Sequence, residues 1–423
     1  MLLLPQIPAS FGLLRSRRGV FPLLTLILAL AAASSASAAQ VYNRTKLYDG
    51  GDGSYHSYRI PVIVRAPNGD IVTFAEGRKT SNDDWGDIDI VIKRYIVATN
   101  TWTARTVLIG TAANSGTWTN PTAVVDYTAG YQKIFLFFNM HDQSYTLTSP
   151  ATKPAGYRKT YMMYSTDNGA SWSAKTDLTA TLGGSTLSWD AVGPGNGIQR
   201  TVTHAGHLVV PATGRNFYSK DHGATWSAHR VPTTGSITTG ESTIVECIDG
   251  TLLRNDRPTQ GNWENGKCRW ISNGSITVDA NGVITSSFPA PAPQSSLPDP
   301  KCEGSILRYN MGTMDRIYFL NSYATDTRGH MLFRVSYDDG ATWTRSRWLY
   351  VNNPYGSPNY TTATAAAAAG KGGYTSLAKA TVNSQTGCAA LTEINENVND
   401  DASNRSLDYH FFNLEWILNG VPE

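Results

Sequence analysis

Short apolar runs separated by polar turns recur along most of the chain. Residues 159–164 and 330–335 are examples, in which aromatic and aliphatic side chains lead into a turn that contains Asp and Gly. Runs of this length and composition are typical of β-strands rather than helices. The pattern therefore predicts an all-β fold.

One turn sequence, Ser-x-Asp-x-Gly-Ala-(Ser/Thr)-Trp, occurs at residues 165–172, 219–226 and 336–343. We expect each copy to form a hairpin turn, because Asp accepts hydrogen bonds from backbone amides, Gly tolerates positive φ and Trp packs against the sheet. Degenerate copies lie at residues 275–286 and 99–102. The repeats indicate architecture and carry no chemistry of their own.

The spacing of the three full copies is about 54 and then about 117 residues, which is typical of a radial or solenoid array. About six such units would fill residues 40–423. We therefore predict a six-bladed β-propeller of four-stranded antiparallel blades. Because no linker separates these units, residues 39–423 are expected to form a single domain.

The N-terminal segment has the order of a secretory signal. Three arginines between residues 15 and 18 precede an apolar run at 21–33, which ends in small residues at 36–39. A membrane anchor would need roughly 20 apolar residues, and this run is shorter. We expect residues 1–38 to be cleaved and the protein to be secreted. Glycosylation sequons begin at Asn43, Asn273, Asn359 and Asn404.

Composition excludes several classes of partner. The net charge is +2 and only 16% of residues are charged, which argues against nucleic acid and against a membrane surface as partners. The four cysteines form no CxxC pair, so a metal knuckle is not expected, and zero, one or two disulfides remain open. We expect a monomer that needs no metal and no cofactor.

The first hairpin carries a pair of arginines. Asn-Gly at residues 68–69 lies between two apolar runs, which is a strong hairpin signal. With those two residues as the loop, counting outward places Arg59 opposite Arg78. Since like charges across a sheet repel, we expect an anion between them, or neutralisation by Glu76 and the acidic run 83–89. The remaining alternative is that both arginines point into solvent.

A second hairpin joins residues 241–247 to 251–257. With a three-residue loop, Glu241 and Arg257 lie on the same face within diagonal reach, whereas a two-residue loop would put them on opposite faces. A rim salt bridge, which would contribute little, is the alternative interpretation. The pair is therefore a candidate for the site if the loop has three residues.

Several segments together resemble the exo-sialidases of bacteria, fungi and animals. The resemblance covers nearly the whole chain after the signal, and it is specific because few proteins with Asp-box turns also share the Arg-Ile-Pro start and the ordered charges. It implies a retaining glycosidase that removes terminal α-linked sialic acids. The matching segments are Arg59-Ile60-Pro61, Glu76-Gly77-Arg78, the three Asp-box turns, Gly240-Glu241-Ser242 and Gly373-Tyr374-Thr375.

The resemblance assigns a triad of arginines to the substrate carboxylate. Its members are Arg59, Arg257 and Arg328, and planar guanidinium groups suit such a ligand. Arg78 resembles the family arginine that contacts the sugar near O4. Sialylated glycans, or glycans that carry the deaminated sugar Kdn, are the implied partners.

The resemblance also assigns the reacting groups. Tyr374 would be the nucleophile with Glu241 as its base, Asp84 would be the acid, and Glu393 would brace Arg59. The sialoside carries a carboxylate on its anomeric carbon, so a neutral phenol avoids the repulsion that an anionic nucleophile would meet. We expect a raised pKa at Asp84, since it must donate a proton. The neighbouring alternatives are Asp83, Asp87 and Asp89 for the acid and Tyr355 and Tyr360 for the nucleophile.

One position departs from the family pattern. Many sialidases have Asp-Pro in the strand that contacts O4 and the C5 substituent, and this chain has Asn120-Pro121. Asn is neutral and both donates and accepts hydrogen bonds, so the preferred sugar, N-acetylneuraminic acid or Kdn, stays open. Two further functions stay open: an intramolecular trans-sialidase with the same residues, and a non-catalytic propeller that binds carbohydrate.

Overall fold

The computed structural model describes residues 39–110, 115–146, 148–233, 239–259, 267–310, 314–325, 328, 331–349, 371–395 and 405–418. The predicted signal therefore lies outside the described residues, as do Tyr355 and Tyr360. In the described part, regular structure is almost entirely β-strand, which confirms the predicted all-β class. None of the helices described there is long and apolar enough to cross a membrane.

The strands, a 3-10 turn at Gly184–Thr186 and one short α-helix, α1 (Leu414–Leu418), make up this part of the chain. The strands are β1 (Tyr42–Tyr48), β2 (Ser57–Arg65), β3 (Ile71–Arg78), β4 (Ile88–Ile96), β5 (Thr101–Trp102), β6 (Thr106–Ile109), β7 (Thr117–Asp126), β8 (Lys133–His141), β9 (Lys159–Ser165), β10 (Thr176–Asp177), β11 (Gly195–Asn196), β12 (Ile198–Gln199), β13 (Leu208–Ala212), β14 (Arg215–Ser219), β15 (Ser227–Arg230), β16 (Thr239–Glu246), β17 (Leu252–Pro258), β18 (Cys268–Val278), β19 (Ile284–Ser287), β20 (Ala292–Pro298), β21 (Ser305–Tyr309), β22 (Arg316–Ser322), β23 (Met331–Ser336), β24 (Arg345–Trp348), β25 (Lys371–Val382), β26 (Gln385–Asn395) and β27 (Arg405–Asn413).

The described strands form five hydrogen-bonded sheets. Four of them have the size of a propeller blade, with the orders β1-β27-β26-β25, β12-β13-β14-β15, β16-β17-β18-β19 with β20 beside β18, and β21-β22-β23-β24. In the first of these, β1 pairs with β27, so the two ends of the described chain close one sheet. This closure pairs an edge that would otherwise be open to other chains.

The predicted count of six separate blades is wrong, because only four sheets have that size and the fifth has ten strands, in the order β10-β9-β8-β7-β4-β3-β2 with smaller strands attached. Two antiparallel units join in this sheet at a single parallel pair, Ile88 with Thr117. The Thr117 hydroxyl also donates to the Gly86 carbonyl at 2.6 Å. These contacts link two units that the hydrophobic pattern treats as independent.

The predicted register of the first hairpin is also wrong. Ser57 pairs with Arg78, and Arg59 pairs with Glu76 rather than with Arg78. There are two causes. The loop has three residues, 67–69, rather than two, because the Ala66 amide donates to the Asp70 carbonyl at 2.7 Å. A bulge between Arg59 and Val62 then adds a residue to β2 and shifts the outer part of the ladder by one more position.

The second hairpin has the three-residue loop that the prediction requires. The Cys247 amide donates to the Thr251 carbonyl at 2.8 Å, so residues 248–250 form the loop, one residue earlier than counted from the sequence. Glu241 and Arg257 form an ion pair, as expected for this loop length.

Each repeated turn connects the third strand of an antiparallel unit to the fourth. Asp167, Asp221 and Asp338 accept hydrogen bonds from the backbone amides of the Ser or Thr four residues later, at 2.8, 2.9 and 2.8 Å. The degenerate copies at residues 99–102 and 275–286 span equivalent turns, between β4 and β5 and between β18 and β19. The turns therefore fold as the sequence predicts.

The strands nearest the centre have almost no solvent-exposed residue. All ten residues of β7 are buried, and in β2 every residue except Arg65 is buried. Strands covered on both faces contain continuous apolar runs, such as 60–64 in β2 and 123–125 in β7. The buried polar side chains of the first half of β7, at positions 117–122, are the exception, and the candidate site is built there.

Candidate active site

Four central strands each carry a bulge where a candidate residue lies. The register shifts fall between Arg59 and Val62 in β2, Thr119 and Thr122 in β7, Thr239 and Ser242 in β16, and Gly372 and Thr375 in β25. Asn120, Glu241 and Tyr374 lie within these shifts, and Arg59 borders one. A bulge turns a side chain away from the regular alternation of a strand. Each candidate group can therefore point to the open end of its strand.

Tyr374 and Glu241 lie in direct contact although they are 133 residues apart. The Tyr374 phenol is 4% exposed and donates to Glu241 Oε1 at 2.5 Å. Arg257 donates to both the phenol oxygen and the Glu241 carboxylate. Burial raises the pKa of Tyr374 well above its ordinary value, and the Arg257 charge opposes this only in part. The phenol is therefore neutral and needs a base to react.

Three guanidinium groups surround the Tyr374 ring. The Cζ atoms of Arg328, Arg59 and Arg257 lie 5.4, 5.6 and 5.9 Å from the ring centroid. Arg328 also donates to the Lys301 carbonyl at 3.2 Å. The structure thus brings the three predicted triad members to one place, around the candidate nucleophile.

Asp84 bridges Arg59 and Arg78. Its Oδ1 lies 3.1 Å from Nη1 of Arg59 and 2.8 Å from Nη1 of Arg78, and 68% of its side chain is exposed. Desolvation by the surrounding residues raises the pKa of Asp84. The charges of Arg78 and Arg59 outweigh this effect and hold the pKa well below its usual range. The expected raised pKa is therefore wrong for the site without substrate, since two cations stabilise the carboxylate.

The alternative acids have other partners. Asp87 and Asp89 lie 3.0 and 3.2 Å from Nζ of Lys79, and Asp89 also accepts from the Tyr55 phenol at 2.6 Å. Asp83 accepts from the Ser81 hydroxyl at 2.9 Å. Within this acidic run, Asp84 is the residue that contacts the site arginines.

Buried glutamates hold the bulges in place. Glu393 accepts from the Ile60 amide at 2.9 Å and lies 3.3 Å from Nε of Arg59, the arginine that it is predicted to brace. Glu76 accepts from the Asn120 amide at 2.9 Å and pairs with Arg78 at 2.6 Å. Each carboxylate fixes the backbone of a neighbouring strand and a site arginine together.

Glu303 also binds a backbone amide of a neighbouring strand, but it forms no ion pair with a site arginine. Its Oε2 accepts from the Thr375 amide, next to Tyr374, at 2.8 Å, while its buried Oε1 has no hydrogen-bond partner. Burial raises the pKa of Glu303 well above its ordinary value, so it is neutral. The sequence analysis missed this residue because the amide that it binds is 72 residues away.

Asn120 is held by Glu76 at its backbone amide and by Arg158 at its side chain. Arg158, a buried residue that the sequence analysis missed, donates to Asn120 Oδ1 at 2.6 Å. The Arg158 guanidinium lies 4.3 Å from the centroid of the Trp189 ring, and Trp189 is 52% exposed. A cation stacked under an exposed aromatic ring adds polar and apolar surface beside Asn120. No local sequence signal connects these positions, since Arg158 lies 38 residues from Asn120.

All nine predicted site residues are among the described ones, and their contacts join them into one network. Glu76 links Asn120 to Arg78, Asp84 links Arg78 to Arg59, and Arg59 lies over the Tyr374 ring. Such an arrangement can hold a carboxylate beside a neutral phenol that has its own base.

All four cysteines lie in the described part of the chain and are free, buried thiols, so the open question of disulfides is resolved. They are Cys247, Cys268, Cys302 and Cys388. Among the described residues, no group of three or more His, Cys, Asp or Glu side chains is arranged to hold a metal ion.

Comparison with known proteins agrees with this geometry. Residues 69–378 match the BNR repeat-like domain family. The exo-alpha-sialidase of Aspergillus fumigatus is 36% identical over 387 residues, which cover 86% of this chain and 86% of that protein.

Two solved structures share the fold. The Hadza microbial sialidase Hz136 has a TM-score of 0.66 at 21% identity, covering 88% of this chain and 69% of that one. The intramolecular trans-sialidase from Ruminococcus gnavus, in complex with oseltamivir carboxylate, has a TM-score of 0.65 at 15% identity, covering 88% and 98%. The extent of the sequence match decides the family: the chain belongs to the exo-alpha-sialidases, with a BNR repeat-like domain.

Proposed function

We propose that the protein is a secreted, retaining exo-glycosidase that releases terminal α-linked sialic acids from glycans. The observation that carries the proposal is the contact between the Tyr374 phenol and Glu241 at 2.5 Å, inside a ring of three arginines. The exo-alpha-sialidase of Aspergillus fumigatus, with 36% identity, supports the reaction class.

The arginines orient the substrate before any bond changes. Arg59, Arg257 and Arg328 bind the carboxylate on the anomeric carbon, which places that carbon beside the Tyr374 oxygen. Arg257 is paired with Glu241 and Arg59 with Glu393, but Arg328 has no carboxylate partner among the described residues, and Arg59 loses Asp84 when that side chain moves to the leaving oxygen. A substrate carboxylate compensates these charges, whereas a neutral sugar does not. The preference for an acid sugar therefore follows from the charges around Tyr374.

Asp84 changes partners when the substrate binds. In the free site its carboxylate occupies the space between Arg59 and Arg78. The substrate carboxylate replaces it at Arg59, and the exposed Asp84 side chain moves towards the leaving oxygen. Loss of an arginine contact, together with exclusion of water by the sugar, raises the pKa of Asp84 and lets it act as an acid.

The reaction has two displacements. First the Tyr374 oxygen bonds to the anomeric carbon while the glycosidic bond breaks, Glu241 takes the phenol proton, and Asp84 protonates the leaving oxygen. Water then bonds to the anomeric carbon as Tyr374 leaves, Asp84 takes the proton of the water, and Glu241 returns its proton to the phenol. Two inversions at one carbon release the sugar as the α anomer.

Two alternatives concern the same site. An intramolecular trans-sialidase would use the same residues and release an anhydro sugar, and one such enzyme shares the fold. The two candidate sugars, N-acetylneuraminic acid and Kdn, differ at C5. The residue assigned to that part of the sugar is Asn120, which is held by Arg158 and replaces the family aspartate.

One NMR time course with aryl α-glycosides of N-acetylneuraminic acid and of Kdn tests these points together. We expect cleavage of at least one glycoside with the α anomer as the first product. A first product in the β form would exclude retention, and an anhydro product would identify the trans-sialidase. Failure to cleave either glycoside, in a protein that melts cooperatively, would exclude the hydrolase.

A further inference from the structure

A second cavity lies at the opposite ends of the central strands. The candidate site uses the N-terminal parts of β2, β7, β16 and β25, and residues further along the same strands line a cavity of about 300 Å³. Its wall is largely aliphatic, formed by Val64, Val125, Ile198, Ile244, Ile306 and Leu377.

Hydrogen bonds separate this cavity from the candidate site. The Asn196 side-chain amide donates to the carbonyls of Ile63 at 2.9 Å and Leu377 at 2.7 Å, so it bridges β2 and β25. The Ser376 hydroxyl donates to Asn196 Oδ1 at 3.3 Å and accepts from the Ile63 amide at 3.0 Å. A molecule in the second cavity therefore has no open path to Tyr374 through this point.

Three basic residues also line the cavity, and one of them is already neutralised. Arg308 Nε lies 2.9 and 3.1 Å from the two carboxylate oxygens of Asp315, and Arg308 also donates to two backbone carbonyls. Glu246, the acidic residue in the lining, lies 3.0 Å from Nε of Arg200 and accepts from backbone amides. Both carboxylates, of Asp315 and Glu246, are therefore already in ion pairs with other arginines.

Those two cations, Arg65 and Lys379, have no carboxylate partner among the described residues. The Lys379 ammonium donates to the neutral side chain of Asn310 at 2.5 Å, and Nε of Arg65 is buried without a hydrogen-bond partner. Burial lowers the pKa of Lys379, Asp315 opposes this, and the charges of Arg308 and Arg65 lower it further. Both cations thus line one cavity with no carboxylate partner among the described residues.

We propose that this cavity binds a small organic anion with an apolar body. Its acidic group lies between Arg65 and Lys379, where it compensates their charges, and its body fills the aliphatic channel. A cavity of this volume equals about ten water volumes, which fits a monocarboxylate of about ten non-hydrogen atoms.

Titration calorimetry with octanoate tests the proposal on the full protein. We expect saturable binding of octanoate, and at least tenfold weaker binding of acetate, which lacks the tail, and of octanamide, which lacks the charge. Lys379→Met and Arg65→Met should each weaken octanoate binding about tenfold. Lys220→Met, the same change at an exposed site, should leave it unaltered.

Two results would overturn the proposal. One is absence of saturable octanoate binding to the wild-type protein. The other is equal affinity for wild type and for a folded Lys379→Met or Arg65→Met variant, with thermal melting as the check of folding. Displacement of octanoate by a sialic acid would also count against it, because that would place the octanoate in the candidate active site.

Discussion

The repeated turns and the floor of the candidate site both use carboxylates to hold backbone amides, over very different sequence distances. In the first turn Asp167 binds the amide of Ser171, four residues later. Under the site Glu393 binds the amide of Ile60, which is 333 residues away. The turns are complete within a few residues, whereas the site exists only after the sheets have assembled. We therefore expect changes in the two regions to affect different properties, the turns stability and the site catalysis.

The largest expected effect is the loss of the candidate nucleophile. Tyr374→Phe keeps the buried ring and removes only the oxygen that contacts Glu241. We expect kcat to fall by at least about 10³-fold, because the covalent step loses its nucleophile. Steady-state kinetics with an aryl sialoside measure the fall, and an unchanged thermal midpoint shows that the fold is intact. A variant with near wild-type turnover would remove Tyr374 from the mechanism.

Sequence and structure agree best where contacts are short in sequence. The repeated turns at residues 165–172, 219–226 and 336–343 were predicted correctly, because each turn supplies its own hydrogen-bond partners. The register of the first hairpin was not, because its loop has three residues rather than two and its bulge at Ile60 is held by Glu393 from another sheet. The number of blades failed for the same reason, since one bridge, Ile88 with Thr117, merges two units.

The site residues were found through resemblance to a family, and the residues that support them were not. The motifs around Arg59, Glu241 and Tyr374 carry that resemblance in a few letters each. Glu303 and Arg158 have no motif, and their partners lie 72 and 38 residues away. Periodicity describes which face of a strand is buried, but it cannot say which carboxylate reaches a neighbouring strand.

Replacement by Gln should have different effects on activity and stability at the two buried glutamates under the site. Glu393 pairs with Arg59, and although burial raises its pKa, the Arg59 charge lowers it below the ordinary value. Glu393→Gln leaves that arginine with less compensation, so we expect a loss of about 3 kcal/mol in unfolding free energy and of about tenfold or more in kcat/KM. Glu303→Gln keeps an acceptor for the Thr375 amide and removes no ion pair, so activity should stay within about threefold.

The pH dependence separates the two glutamates further. Because burial raises the pKa of Glu303, the folded protein keeps a proton on this group. The unfolded chain releases that proton near pH 4.3, about the ordinary pKa of a glutamate. Stability from this group is therefore present below about pH 4.3 and is lost as the pH rises towards the folded-state pKa. Urea unfolding should find Glu303→Gln about as stable as wild type at pH 4 and more stable at pH 7. Equal differences at both pH values would contradict a neutral Glu303.

The smallest expected effect lies in the turns, where Asp167→Ala should cost about 1 kcal/mol of stability and leave kcat and KM unchanged. The hydroxyl and the amide of Ser171 lower the pKa of Asp167 to about 2. Its contribution is therefore present above about pH 3.9, the unfolded value, and is lost as the pH falls towards 2. Wild type and variant should thus converge in stability at low pH and separate at neutral pH. Asp167→Asn, which keeps one acceptor oxygen, should lie between them. A loss of activity in Asp167→Ala without a loss of stability would contradict the separation of turn and site. It would mean that the local contact between Asp167 and Ser171 affects the chemistry at Tyr374.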